Sequence, residues 1–141
     1  MATLKVTISE QLTLEGVDRS SSRVHDVESV TQVDNRIVTV TTTEADLVKF
    51  DTAVASGTYV ASNVKYLRIS HVGDSGHLTL RILGTSEEYA VKVEAGDSFI
   101  LNNAQMDANA TGEQTITLAN IAEIKAVASA STIVSEIFIA S

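Results

Sequence analysis

Apolar and polar residues alternate along four stretches of the chain. They are Leu4, Val6 and Ile8 in TLKVTIS, Leu67, Ile69 and His71 in KYLRISH, Leu78, Leu80 and Ile82 in HLTLRIL, and Tyr89, Val91 and Val93 in EYAVKVE. A period of two puts each set on one face of an extended segment, so each stretch predicts a half-buried β-strand. Turn-forming clusters separate the strands: GVD at 16–18, DNR at 34–36, ASG at 55–57, GDSG at 73–76, LGTSE at 83–87, AGD at 95–97 and NATG at 109–112. This rhythm predicts an all-β chain, an antiparallel β-sandwich or jelly-roll-like fold of about nine strands, and not βαβ units.

Two stretches depart from simple alternation. In RVHDVESVTQV the valines Val24, Val27, Val30 and Val33 recur every third residue, a spacing that fits one stripe of a short helix as well as an irregular strand. It is read as part of an extended arm entering the strand RIVTVTTT. In the C-terminal STIVSEIFIAS, Ile133, Ile137 and Ile139 fall on one face and Val134, Phe138 and Ala140 on the other. A strand apolar on both faces is either central to a two-layer core or completed by another chain.

The chain has 141 residues, the length of one domain, and residues 1–141 are read as a single sandwich with 1–36 as an extended arm or swapped segment. Hydrophobic residues at 44% and charged residues at 20% are globular values, and no apolar run reaches the roughly 20 residues that span a bilayer. A soluble protein made in a cytoplasm is expected, because the N-terminus lacks the pattern of a secretory signal. Cysteine is absent, which excludes disulfides and thiolate chemistry; proline is also absent, so edge strands need charge, twist or a partner subunit. The net charge of -8, with Lys and Arg scattered, disfavours nucleic acid and anionic membrane surfaces.

Candidate chemistry is sparse. Gly73-Asp74-Ser75-Gly76 matches the nucleophile loop of chymotrypsin-like proteases, and His25, His71, His77, Asp46 and Asp51 could be ordered around it. The tetrapeptide also suits a hairpin turn between KYLRISHV and HLTLRIL, His77 stands where that loop needs a further Gly, and the chain is too short for paired barrels. The turn is the better reading. His71 and His77, with Glu87 or Glu88, make a poor metal site, and VEAGDSFIL resembles a cupin lead-in without the His-x-His pair that fold requires. Asp107, Asn109, Thr111 and Gly112 open like an EF-hand calcium loop, but Leu118 stands in the closing position and Glu113 is the one further carboxylate. Asn109-Ala110-Thr111 matches a glycosylation sequon with no secretion signal to bring it into use. No catalytic, cofactor-binding or metal-ligating residue is assigned, no cofactor is expected, and the chain is not expected to be an enzyme.

GTYVASNVKYLRISHVGDSGHLTLRI (57–82), EYAVKVEAGDSFIL (88–101) and VDNRIVTVTTTEADL (33–47) resemble the strand and turn vocabulary of small virion structural proteins of tailed bacteriophages. The likeness covers roughly residues 27–101 and carries no catalytic signature. It implies a capsid decoration or cement protein, a homo-oligomer and most naturally a trimer, located in the virion and bound to the major capsid protein or another virion protein. It implies no nucleic-acid or membrane partner. A neck, tail or fibre component is the alternative within that class. A carbohydrate-binding module is the alternative outside it, with Tyr59, Tyr66 and Tyr89 as stacking candidates in a chain that is 4% aromatic and has no Trp.

Overall fold

The computed structural model describes residues 1–85, 87–106 and 118–141. Fifteen strands occur in them: β1 (Ala2–Glu10), β2 (Thr13–Leu14), β3 (Val17–Asp18), β4 (Ser21–Val30), β5 (Val33–Val40), β6 (Ala45–Asp51), β7 (Tyr59–Val60), β8 (Tyr66–His71), β9 (His77–Leu83), β10 (Glu88–Glu94), β11 (Ser98–Leu101), β12 (Gln105–Met106), β13 (Ala119–Asn120), β14 (Glu123–Ala128) and β15 (Ile133–Ala140). The protein is all-β, and apart from a parallel β6–β7 contact its strand pairs are antiparallel. Two sheets form the body, one ordered β10-β9-β14-β6-β7 and the other β11-β8-β15-β5. The strand total exceeds the expected nine because the N-terminal segment folds into strands of its own and short pairs form beside the body.

The alternating segments supply the core. Leu67, Ile69, Ile137 and Ile139 from one sheet and Leu78, Leu80, Ile82 and Ile124 from the other are fully buried in one cluster, the arrangement of a sandwich-like body. Burying each such side chain contributes about 1.5–3 kcal/mol, and a chain without disulfides depends on that packing.

The turn at Gly73–Gly76 is not a hairpin. β8 pairs with β11 and β15, whereas β9 pairs with β10 and β14, so the tetrapeptide carries the chain from one sheet to the other. The AGD segment at 95–97 makes a second crossing, from β10 to β11. Local alternation identifies strands but carries no information on which partner each one takes.

DNR at 34–36, expected to be a turn, lies inside β5. Asp34 and Arg36 share the inward face with Val38 and Val40, at the open side of the sandwich where β5 is the edge strand. There Arg36 Nη2 donates to the Leu47 carbonyl oxygen at 2.5 Å, and the Tyr59 hydroxyl donates to Asp34. The polar pair bridges the two sheets where apolar residues would be left half wet.

β15 lies between β8 and β5, so its Ile133, Ile137 and Ile139 face the core. Its other face is partly covered from within the same chain, over Phe138 and Ala140, while Val134 stays exposed. β1 and β4 form a long hairpin, capped at its tip by β2 and β3, and the base of this arm packs Val27, Val30, Leu4 and Val6 on Tyr66, Phe138 and Ala140. Residues 1–30 are therefore a folded hairpin, not a single extended strand. Lys65 Nζ ties it down by donating to the carbonyl oxygens of Glu28 and Ser29 at 2.9 and 2.8 Å.

The three-residue spacing of valines also has a cause in this hairpin. Ala2 pairs with Val30 and Leu4 with Val27, so two steps on β1 oppose three on β4, and Ser29 takes a left-handed φ of 57°. This bulge returns Val30 to the face of Val27, and both are buried. The bulge accounts for the step from Val27 to Val30; Val24 lies in regular register on the opposite face and Val33 begins β5, and both are exposed.

Candidate functional site

The residues that could have formed a hydrolytic triad lie apart. Ser75 is exposed on the crossing between sheets, His25 is exposed on the arm, and Asp51 ends β6 with its carboxylate accepting the Thr52 N–H at 2.6 Å. Asp46 faces away from the core, where hydrogen bonds from Lys49 and then Lys125 hold its carboxyl below the usual carboxylate range. His71 is 1% exposed, and its Nδ1 accepts the Gly73 N–H at 3.0 Å. That acceptor role fixes the neutral tautomer with the proton on Nε2, an atom that is buried and has no partner among the described residues. No described hydrogen bond joins Ser75 to a histidine.

The metal readings fare no better. Among the described residues no group of three His, Cys, Asp or Glu is placed to hold a metal ion. His71 and His77 lie on strands of different sheets, and Arg81 Nε lies 3.8 Å from the Glu88 carboxylate. The calcium-loop and sequon residues Asp107, Asn109, Thr111, Gly112 and Glu113 lie outside the described residues.

The three tyrosines do not make one stacking platform. Tyr66 is 6% exposed, beneath the arm and edge-on to Phe138 at 6.1 Å between ring centroids. Tyr59 and Tyr89 pack against the core from β7 and β10, the two opposite edges of the five-stranded sheet. Burial, together with the Asp34 hydrogen bond, pushes the Tyr59 phenol up to about 12 from an ordinary value of 10. A folded-state pKa above the unfolded one stabilises the fold fully below the unfolded value, and that contribution is lost as pH rises through about 12. Phenolate absorbance is expected to show a last step near pH 12 that disappears in Tyr59→Phe. A step near pH 10 that vanishes in the variant would exclude the buried, hydrogen-bonded phenol.

The two outer faces of the body differ in how much apolar surface they leave exposed. On the five-stranded sheet Lys125 contacts Asp46 and Glu123 at 3.1 and 3.2 Å, Arg81 contacts Glu44 at 2.9 Å, and Lys92 pairs with Glu94. Such a face is satisfied by its own charges and water. The outer face of the four-stranded sheet is mixed: Tyr66, Phe138 and Ala140 lie under the arm, Ile37, Val33, Val134 and Ile100 are exposed, and between them Arg68 pairs with Glu136 at 2.9 Å and the Ser70 and Ser98 hydroxyls share a hydrogen bond. No helix is long and apolar enough to cross a membrane among the described residues.

The most distinctive surface is the arm itself. At its tip Leu14 pairs with Val17 and Thr13 with Asp18 around a two-residue turn, in which Glu15 and Gly16 both take positive φ, 51° and 78°. Directly opposed residues share a face, and so do residues two apart, so Leu12, Leu14 and Val17 form one apolar face, 54, 56 and 50% exposed. Further in, β1 stands over the four-stranded sheet and leaves a groove of about 390 Å³. Its walls are Leu4, Val6, Ile8 and Phe138, with Ile100 at the far side and Lys5 and Arg68 among its polar lining. β1 pairs only with β4, so its other edge has no strand beside it among the described residues. A larger recess of about 630 Å³ between the shaft and the tip of the arm is lined mainly by hydroxyl and carboxylate side chains of the arm itself, with Leu12 as its one apolar lining residue.

The polar character of GVDRSSSRVHDVE hid the tip in the sequence, although QLTLEGV carries the signal of a two-residue hairpin turn after an alternating pair. Comparison with family models, with curated proteins and with solved structures finds no match to this chain.

Proposed function

We propose that this protein is a non-enzymatic assembly module, a jelly-roll-like sandwich that decorates or cements the head of a tailed bacteriophage as a homo-oligomer, with the trimer as the expected form. The observation that carries this reading is the arm: a folded hairpin, anchored at its base, that holds an apolar face away from the body. An exposed apolar cluster on a rigid support marks a contact surface. The body supports the same reading, since Val33, Ile37, Val134 and Ile100 are exposed on one outer face beside the Arg68–Glu136 pair, a mixed surface that suits a shell or a neighbouring subunit. The resemblance of residues 27–101 to small virion proteins supplies the biological setting, and the acidic balance of the chain suits a particle packed with nucleic acid.

Light scattering after size-exclusion chromatography is expected to give a multiple of the 15.0 kDa chain mass. Co-sedimentation is expected to show saturable binding to expanded, undecorated phage heads. A protein that stays monomeric and leaves such heads unbound would end this reading.

A further inference from the structure

We infer that the apolar tip of one copy's arm docks in the groove beneath β1 of a second copy. This inference rests on the assembly reading above and names the contact that would build the assembly. Three observations select a second copy as the occupant. The first is apolar complementarity: the tip offers Leu12 and Leu14 two residues apart with Val17 beside them, and the groove offers an apolar wall built on the same strand period. The second is charge: Glu15, exposed at the tip, has no described ion-pair partner, and the same holds for Lys5 beside the groove. The third is backbone. β2 pairs only with β3, and β1 only with β4, so each has an edge free to accept the other.

The tip cannot fill the groove of its own chain. The paired β1 and β4 hold the tip beyond Glu10 and Ser21, whereas the groove lies along residues 4–8 of the same hairpin. The contact is therefore head-to-tail, between different surfaces of two copies, and such a contact closes into a ring or continues as a filament. A discrete trimer would be the closed form.

The test uses the full chain. Leu14→Ser alters the tip and Ile100→Glu alters the groove; both residues are exposed in the single chain, so both variants are expected to melt like the parent. Each is expected to shift dissociation of the oligomer to at least about tenfold higher protein concentration in light scattering. Because the chain has no cysteine, Leu14→Cys and Ile100→Cys proteins can be mixed under mild oxidation. A disulfide-linked heterodimer that forms faster in the mixture than homodimers form in either protein alone is the expected result. An oligomer of unchanged affinity in both surface variants, without that cross-link, would overturn the tip-to-groove contact while leaving the assembly reading in place. A monomer that binds phage heads through Leu14 would overturn it too, assigning the tip to the shell protein. A monomer that binds no heads would end both.

Discussion

Gly76→Val is expected to destabilise the protein by about 2–4 kcal/mol, through backbone strain and overpacking together. Gly76 has a φ of +76°, a conformation that β-branched residues rarely adopt. A Cβ there would also meet Ser129 Oγ at 3.1 Å and Ile133 Cδ1 at 3.3 Å. Ser129 Oγ accepts the His77 N–H at 3.0 Å and the Ile133 side chain belongs to the core, so neither can yield freely. Ser75→Ala removes one exposed hydroxyl and is expected to stay within about 0.5 kcal/mol of the parent. The comparison is made by denaturant melts, in which the midpoint of Gly76→Val should fall with little change in slope. Equal stability of the two variants would show that the crossing between β8 and β9 does not hold the left-handed geometry.

That contrast gives the small, polar residues of the tetrapeptide a structural reason. The chain must leave one sheet at His71 and enter the other at His77, with five residues between, and Gly73 has a second constraint. A Cβ at Gly73 would lie 2.9 Å from His71 Cε1, on a ring that is buried and held by the Gly73 N–H itself. The glycines make room for a buried histidine and a reversal of direction.

Three of the strands that form the core, β8, β9 and β10, were legible from alternation, whereas β6 and β14 were not read from it. Leu67, Ile69, Leu78, Leu80 and Ile82 are buried, and Tyr89, Val91 and Val93 turn inward beside them, because a period of two is a local property of the chain. Pairing was not legible. Nothing local separates a hairpin between β8 and β9 from a crossing between sheets, since both need a short polar turn with glycine. Asp34 and Arg36 misled for a related reason: Asp-Asn-Arg is turn vocabulary, yet at an edge strand the same side chains bridge the gap to the facing sheet.

The candidate surface was half legible. The doubly apolar β15 signalled that something covers its outer face, and the sequence left open whether this was its own core or another chain. The structure resolves it with both its central position and its own arm, whose leucines and valines are spread over thirty residues and gather on one face only after the hairpin and its bulge have formed. A long-range contact of this kind depends on register, which a one-residue shift would invert.

Tyr66→Ala is expected to release the arm while leaving the sandwich folded. Removing a large buried aromatic costs about 3–5 kcal/mol, and this ring points away from the main core into the small cluster formed with Val27, Val30 and Ala140. The loss should therefore fall on the docking of residues 1–30 and spare the packing between the two sheets. The remaining polar ties include the backbone bonds of Thr31 and Gln32 to the Ser141 carbonyl oxygen at 2.7 and 2.9 Å, the return bond from the Ser141 N–H to the Gln32 carbonyl oxygen at 3.0 Å, the Thr31 hydroxyl bond to Ser141 at 3.1 Å and those from Lys65, all at the base of the hairpin. They hold the point of attachment but not the angle of the arm. Native-state hydrogen exchange is expected to quicken roughly a hundredfold at β1 and β4 amides, the equivalent of about 3 kcal/mol, with β9 and β14 amides unchanged. Uniform acceleration across all strands would make the arm and the sandwich one cooperative unit, and no acceleration would show that the ring is not the anchor. If the arm alone loosens, the tip and the groove lose their fixed separation together, because β1 is both the shaft of the arm and a wall of the groove. Tyr66 would then control assembly in two ways, through the angle at which the hairpin is held and as part of the groove lining itself.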